Sequence, residues 1–506
     1  MSTQTLPEMP GRPPEIAPSQ VAVDEPSAAR AFGLIGMMIA VLGLTVVVFN
    51  AVYGPRIIGP EGGILFIAFG LLGMLFHALR DTDMQIRRAY GVIGMALVGI
   101  TALFALVRVN LFVTYGWATA IAAFCFLLTN LRHETDAGWI KRLTRVLGIT
   151  GAVAGGVGLL GCLFITDFAV TYGILLAVLG LIYLCGFVSQ QSPVSEVPYR
   201  VGLALGMTAV FLILYALLRS ILPAVLKMSV APFFVPTGLL LLICGMLYGM
   251  VALSLVSDSR FVVLAKRELT GYFYSPIAYL VMIGMVLMGW TAYYFFVNFI
   301  KAGGIRIEPI VLNYFQDFPP IVILVLVPAI TMRLLAEEKR SGTYEVLMCA
   351  PVKESTVVLS KHVAALIFFM LLWGIWALFL ISLRVESGND FDYRPLLSFY
   401  FALLLCGSSF ISMGLFFSAL SGNQIVGAVL TFMGLLLVTI LGSGFVQRLE
   451  SVGPLWKAVF SHLSYSELWV SSLKGRMHVR EMILQGSFTF FWLFLTVKVL
   501  EARRWS

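Results

Sequence analysis

Long apolar runs separated by short polar segments dominate the chain from residue 31 onwards. Each run holds about 20 residues, the length at which a helix spans a hydrocarbon core, and a helix satisfies its own backbone there. Eight runs lie near residues 31–52, 62–79, 90–107, 111–130, 146–166, 168–188, 201–222 and 233–257. Six more lie near residues 275–299, 318–336, 355–383, 396–420, 424–446 and 483–500. The pattern predicts an all-α polytopic membrane protein with about 14 transmembrane helices.

Residues 1–29 break the pattern at the amino terminus, because they are rich in proline and have little to bury. We expect a disordered cytoplasmic tail there. No short apolar region follows a basic leader, so the first run is expected to remain as a membrane helix rather than to be cleaved. The Lys and Arg bias of the short loops then places both termini in the cytoplasm. We expect a multi-pass protein of the cell inner (cytoplasmic) membrane.

The segment 259–275 differs from both the spans and the loops. Its apolar residues repeat at helical spacing, while Arg260, Lys266, Arg267 and Thr270 lie largely on the opposite face. This predicts an amphipathic helix in the cytoplasmic interface, ahead of the next span. An ordinary charged loop is the alternative. We place a domain boundary near residue 258, between an N-terminal module of about eight helices (30–258) and a six-helix domain (259–506).

Composition excludes several functions. Charged residues are only 12% of the chain, and the net charge of +8 lies in short loops, which favours a topological cause over nucleic-acid binding. The six cysteines are scattered singly, as expected for apolar packing residues. The chain has no phosphate-cradling loop and no zinc-protease or serine-hydrolase motif, so it is not an ATPase by itself. We predict no catalytic, cofactor-binding or metal-binding residues.

One charged stretch, "TMRLLAEEKRSGTYEVLMCAPVKESTVVLSKH" from Thr331 to His362, stands out in this apolar chain. We expect the helix from about residue 318 to continue into the cytosol through "RLLAEEKR", with Arg333 paired to Glu337 four residues on. Gly342 then suits a helix C-cap. A new short helix would begin at Thr343, as an N-cap, and would end before a proline, after which the chain re-enters the membrane.

The order of "EEKRSGTYEVLMCAPV" and "VLSKHVAAL" resembles the ABC-2 family of ATP-binding-cassette permeases, and especially its gliding-motility-type branch. The segment "LAKRELTGYFYSPIAYL" is similar to that family's entry helix, and the resemblance covers about residues 259–506. Cys349 and Ala350 depart from the short polar residue usual before the proline, and "KH" replaces a more usual Gly-Lys. The matching positions are Glu337, Glu338, Gly342, Thr343, Glu345, Leu347, Pro351 and Lys361.

The resemblance implies that a short helix near 343–350 is a coupling helix, which docks on a separate ATP-binding-cassette ATPase subunit. Glu337 and Glu338 would form salt bridges or caps near the joint, and Tyr344 and Leu347 would be apolar anchors. The chain itself would need no cofactor, because the partner subunit binds ATP. A second permease unit, identical or not, would complete the transport path. The cargo is not indicated.

Other interpretations remain open at this stage. The charged stretch can be a solvated cytoplasmic loop whose charges serve topology alone. The whole chain can be a secondary transporter or a multipass membrane enzyme acting without an ATPase, although its spans offer few ionisable residues for such a role. It can also be the membrane anchor of a surface machine. The first eight helices lie outside the resemblance, and they could flank the path or contact an accessory membrane protein.

Overall fold

The fold is described from a computed structural model of the chain. The residues described are 27–53, 60–80, 83–107, 115–165, 168, 172–192, 195–226, 233, 237–303, 310–315, 318–343, 352–387, 394–442, 453 and 465–504. The chain divides into two compact units, one formed by residues 1–156 and 178–190 and the other by residues 157–177 and 191–506. The domain boundary near residue 258 was drawn on sequence character, and it stays a prediction.

Among the residues that the structure describes, eight helices precede the segment that resembles the entry helix. They are α1 (Ser27–Tyr53), α2 (Pro60–Arg80), α3 (Met84–Val107), α4 (Trp117–His133), α5 (Ala137–Phe164), α6 (Ile174–Ser189), α7 (Val197–Val225) and α8 (Leu239–Val256). Residues 1–26 of the predicted tail lie outside the described residues. Its last residues open α1 instead, because Ala28 and Ala29 are strong helix formers.

The described residues of the second half of the chain are also mostly helical. Its helices are α9 (Arg260–Tyr274), α10 (Pro276–Gly303), α11 (Ile310–Phe315), α12 (Phe318–Thr331), α13 (Ala336–Ser341), α14 (Glu354–Ser387), α15 (Arg394–Leu420), α16 (Gln424–Gly442), α17 (Tyr465–Leu473) and α18 (Val479–Arg504).

The membrane character of these helices follows from length and hydropathy. In the part of the chain that the structure describes, ten helices are long and apolar enough to cross a membrane, and the count reaches 11 if α8 and α9, bent by 109°, form one span. The same part includes three shorter apolar helices, at Trp117–Arg132, Ile174–Ser189 and Gln424–Ile440. Every predicted apolar run contains a helix, and no strand occurs in the part of the chain that the structure describes. The prediction of an all-α polytopic membrane protein is confirmed.

An aromatic core holds the second-half helices together. Trp373 and Trp376 of α14 are fully buried and lie 5.2 Å apart between ring centroids. Phe399 of α15 lies 4.9 Å from Trp469 of the short helix α17, in an edge-to-face contact. Trp469 also donates its indole N–H to the carbonyl of Phe315, at 3.2 Å. Trp469 also contacts Trp373, with ring centroids 6.5 Å apart. Each such ring pair is worth about 0.5–1.5 kcal/mol beyond burial, so these contacts link α14 and α15 through α17.

Candidate functional site

A buried lysine joins three elements at one end of this helical core. The Nζ of Lys361, on α14, lies 2.9 Å from a carboxylate oxygen of Glu268 on α9 and 2.7 Å from one of Glu338 on α13. Lys361 is only 1% exposed. Lysine is almost never fully buried unless it is paired, and the two carboxylates supply the pairing here. We call Glu268, Glu338 and Lys361 the buried triad.

The amphipathic pattern of helix α9 determines which of its faces packs against the core, and thereby determines the position of Glu268. Ser259 begins the helix as the N-cap, since its hydroxyl accepts a hydrogen bond from the backbone N–H of Val262 at 3.4 Å. On the apolar face, the ring of Tyr272 stacks on Phe368 of α14, with centroids 4.7 Å apart. Packing this face against α14 brings Glu268, one turn before Tyr272, to Lys361. The amphipathic helix predicted at 259–275 is present, and it runs from Arg260 to Tyr274.

The helix that was expected to run through "RLLAEEKR" is interrupted. Helix α12 ends at Thr331, residues 332–335 form turns, and α13 begins at Ala336. Pro328 within α12 already weakens the helical hydrogen bonds there. The hydroxyl of Ser418 on α15 then accepts from the backbone N–H of Leu335 at 3.2 Å and of Ala336 at 3.1 Å. Because Ser418 satisfies these donors, the chain can restart as a separate short helix that aims Glu338 at Lys361.

The expected pair of Arg333 and Glu337 is present despite the interruption. The guanidinium of Arg333 donates to both carboxylate oxygens of Glu337, at 2.6 and 3.0 Å. It also donates to the hydroxyl of Ser275, the residue that follows α9. Arg333 therefore binds the end of α9 to the start of α13. This second link runs beside the buried triad and joins two of the same three elements.

Gly342 ends α13 as the sequence predicted. Its φ of +73° lies in the left-handed region, and its N–H donates to the carbonyl of Lys339 at 3.4 Å. The Thr343 hydroxyl lies 2.8 Å from that of Ser341. The new short helix predicted after Thr343 lies outside the described residues, and so do four predicted site residues. These four are Tyr344, Glu345, Leu347 and Pro351.

A cavity of about 360 Å³ opens beside the buried triad. Arg267, Glu268, Arg333, Glu337, Glu338 and Lys361 line it, so three cations face three carboxylates. Burial by itself would raise the pKa of Glu268, but nearby Lys361 and Arg267 outweigh it, and the pKa lies below its usual 4.5. Glu268, on the amphipathic helix α9, therefore stays ionised at neutral pH. One oxygen of Glu338, Oε2, is buried without a hydrogen-bond partner.

The structure brings together part of the predicted site and adds to it. Glu337, Glu338 and Lys361 line one cavity, and Thr343 lines it too. Gly342 shapes the chain beside the cavity. Glu268 was not predicted from the sequence. One signal was available, since Glu268 is the single acidic residue of α9.

Comparison with known protein families gives a match over part of the chain. Residues 308–497 match the family model described as "ABC-2 family transporter protein". The match includes Glu337, Glu338 and Lys361, and it begins after α9, the helix that carries Glu268. It supports the ABC-2 type permease assignment without confirming the gliding-motility-type branch. Searches of the curated proteins and of the solved structures gave no match.

Proposed function

We propose that this multi-pass membrane protein, whose residues 308–497 match the ABC-2 family transporter model, is the permease subunit of an ATP-binding-cassette exporter. In this proposal a separate ATPase subunit hydrolyses ATP, and the chain converts that energy into transport across the inner membrane. In this proposal the chain itself does not hydrolyse ATP, since its sequence has no phosphate-cradling loop, and the partner subunit binds the nucleotide.

The observation that carries this proposal is the pairing of Lys361 with both Glu268 and Glu338. Separating a buried charge from its partners costs several kcal/mol, so α9, α13 and α14 tend to move together. Helices α13 and α14 adjoin the proposed docking segment in the chain, so a force applied there would reach them directly and would reach α9 through Lys361 and Glu268. This arrangement suits the transmission of a partner's motion.

The segment at 343–350 is the proposed docking element for the ATPase, with Tyr344, Glu345 and Leu347 at the contact. It follows α13 directly, so a partner seated there acts next to the buried triad. The proposal places this end of the permease, and both chain termini, on the cytoplasmic side where ATP is available. A second permease unit, identical or different, would complete the path.

Affinity capture of the tagged full chain in mild detergent tests the proposal. We expect the wild type to recover an ATPase, identified by peptides of its own phosphate-binding loop. The double variant Glu345→Lys with Leu347→Asp should recover at least about tenfold less, the loss expected when a charge is placed in an interface core. Membrane insertion should persist in this variant.

A matched control carries the same kinds of change at another loop on the same predicted side of the membrane. Glu196→Lys with Tyr199→Asp alters two exposed residues at the start of α7 and should leave ATPase recovery unchanged. If the wild type recovers no ATP-binding-cassette subunit, the proposed function is wrong. If both double variants recover it equally, the docking segment is misplaced.

A further inference from the structure

One end of the unit that contains α2, α3 and α4 exposes a group of basic side chains. Two lie in the last turns of α2 and α4, and three lie near the beginning of α5. None of them forms an ion pair with another residue that the structure describes. The group consists of Arg80, Arg132, Lys141, Arg142 and Arg145. We call it the basic rim.

A polar network fixes the helix ends that carry the basic rim. Arg88, near the start of α3, donates to Glu134 at 3.1 and 3.2 Å and to Asp136 at 3.3 Å. The indole N–H of Trp139, in the first turn of α5, donates to the amide oxygen of Asn130 on α4 at 3.1 Å. The start of α3, the end of α4 and the start of α5 are thereby bound to one another.

Helix α2 ends at the same place. The imidazole Nδ1 of His77, one turn before Arg80, lies 2.8 Å from the hydroxyl of Tyr90 on α3. Tyr90 in turn stacks on Phe126 of α4, with ring centroids 5.8 Å apart. All five cations of the basic rim therefore belong to one end of a single unit.

The network also takes up part of the nearby negative charge. The Glu134 side chain is 1% exposed and is engaged by Arg88, which also pairs with Asp136. Arg88 thus offsets one of these two negative charges. Among the residues that the structure describes at this end, the five cations of the basic rim outnumber the three acids, which are Asp83, Glu134 and Asp136.

Two ordinary causes explain only part of the basic rim. The helix dipole favours cations in last turns, which accounts for Arg80 and Arg132. It does not favour cations near a helix beginning, where Lys141, Arg142 and Arg145 lie. Lys141 and Arg145 are four residues apart, a spacing at which like charges repel. Topology requires a number of cations on one side, but it does not require this repulsion.

We infer that the basic rim binds the headgroups of anionic phospholipids in the leaflet next to this end of the unit. Guanidinium and ammonium groups donate to phosphate oxygens, and a negative headgroup would relieve the repulsion between Lys141 and Arg145. Clusters of four to eight Lys and Arg next to a spanning helix are typical of such lipid recognition. Trp139, an aromatic residue common at membrane interfaces, lies half-buried on the same turn of α5.

Native mass spectrometry of the full chain tests this inference. The chain is purified in detergent containing equal phosphatidylglycerol and phosphatidylcholine, and each retained lipid is counted. We expect the wild type to retain roughly fivefold more phosphatidylglycerol than phosphatidylcholine, as a few basic residues at a surface allow. Lys141→Gln with Arg142→Gln and Arg145→Gln should lose most of this preference.

The matched control removes three exposed cations from the other half of the chain: Lys474→Gln with Arg476→Gln and Arg480→Gln. It should keep the wild-type preference. Equal retention of the two lipids by the wild type, or an unchanged preference in the variant of α5, overturns the inference.

Salt provides a measurement that does not depend on any variant's folding. Raising sodium chloride to about 0.5 M should reduce the wild-type preference, because salt screens exposed charges. A preference that salt leaves unchanged overturns the inference. Inorganic phosphate at matched ionic strength should displace no more phosphatidylglycerol than chloride does. Greater displacement would assign the basic rim to free phosphate instead.

Discussion

Replacing Lys361 with methionine should destabilise the permease strongly, because it leaves two buried carboxylates facing each other. The lysine lies 2.9 and 2.7 Å from its partners, and all three side chains are at most 17% exposed. At an effective dielectric constant of about 20, each pair attracts by about 6 kcal/mol. Desolvation offsets much of this, and removing one partner of a buried pair costs about 3–5 kcal/mol net. For a domain of this size we expect the melting temperature to fall by roughly 6–20 °C.

Thermal unfolding of the detergent-purified chain, followed by loss of the monodisperse size-exclusion peak, measures this effect. Lys498→Met is the matched control, because Lys498 pairs with Glu501 at the same 2.7 Å but both side chains are largely exposed. Such an exposed pair is worth about 0–1 kcal/mol, so the control should shift melting by only a few degrees. Adding Glu338→Gln to Lys361→Met should recover part of the loss, since it removes one uncompensated charge. Equal shifts for the two lysine variants would refute the reasoning.

Three further results are expected. The stabilising effect of Glu268 is measured as the difference in melting temperature between the wild type and Glu268→Gln. This difference should be constant above pH 4.5 and shrink at lower pH, because a carboxyl with a depressed pKa loses its stabilising effect when it is protonated. A difference that grows on acidification would contradict this. Gly342→Ala should lower the free energy of unfolding by about 1–2 kcal/mol, because alanine is strained at the positive φ of this position. The control Gly284→Ala, at a helical position whose added Cβ also meets no neighbour, should not destabilise the chain. Similar losses in both variants would show that φ is not the cause. Gly414→Ala should destabilise the protein, because the added Cβ would lie 2.7 Å from the Cβ of Thr331. Adding Thr331→Gly should relieve this loss. Purely additive effects of the two substitutions would rule out the contact.

The helices were predictable because their cause is local. About 20 apolar residues in a row need only a membrane to become a span, and each predicted run contains a helix. The cap at Gly342 was equally local, since glycine tolerates the left-handed conformation that ends a helix. These features could be read from a few neighbouring residues.

The buried triad could not be read in the same way. Glu268 and Lys361 are 93 residues apart, and their pairing exists only because α9 packs its aromatic face on α14. The interruption after Thr331 depends on Ser418, which is more than 80 residues away in the chain. Nothing local marks a serine as the acceptor for another helix's free N–H groups. Pro328 was the available local hint that a continuous helix would fail.

The claim that the buried triad carries the ATPase's motion to α9 is tested most directly by hydrogen exchange. The complex with its captured ATPase is compared in the nucleotide-free and vanadate-trapped states. The account predicts that trapping changes exchange in α9, in α13 and in the first turns of α14. In Lys361→Met the change should persist at α13 and α14, which adjoin the docking segment in the chain, and be lost at α9. If the change at α9 survives this substitution undiminished, the buried triad does not transmit the motion.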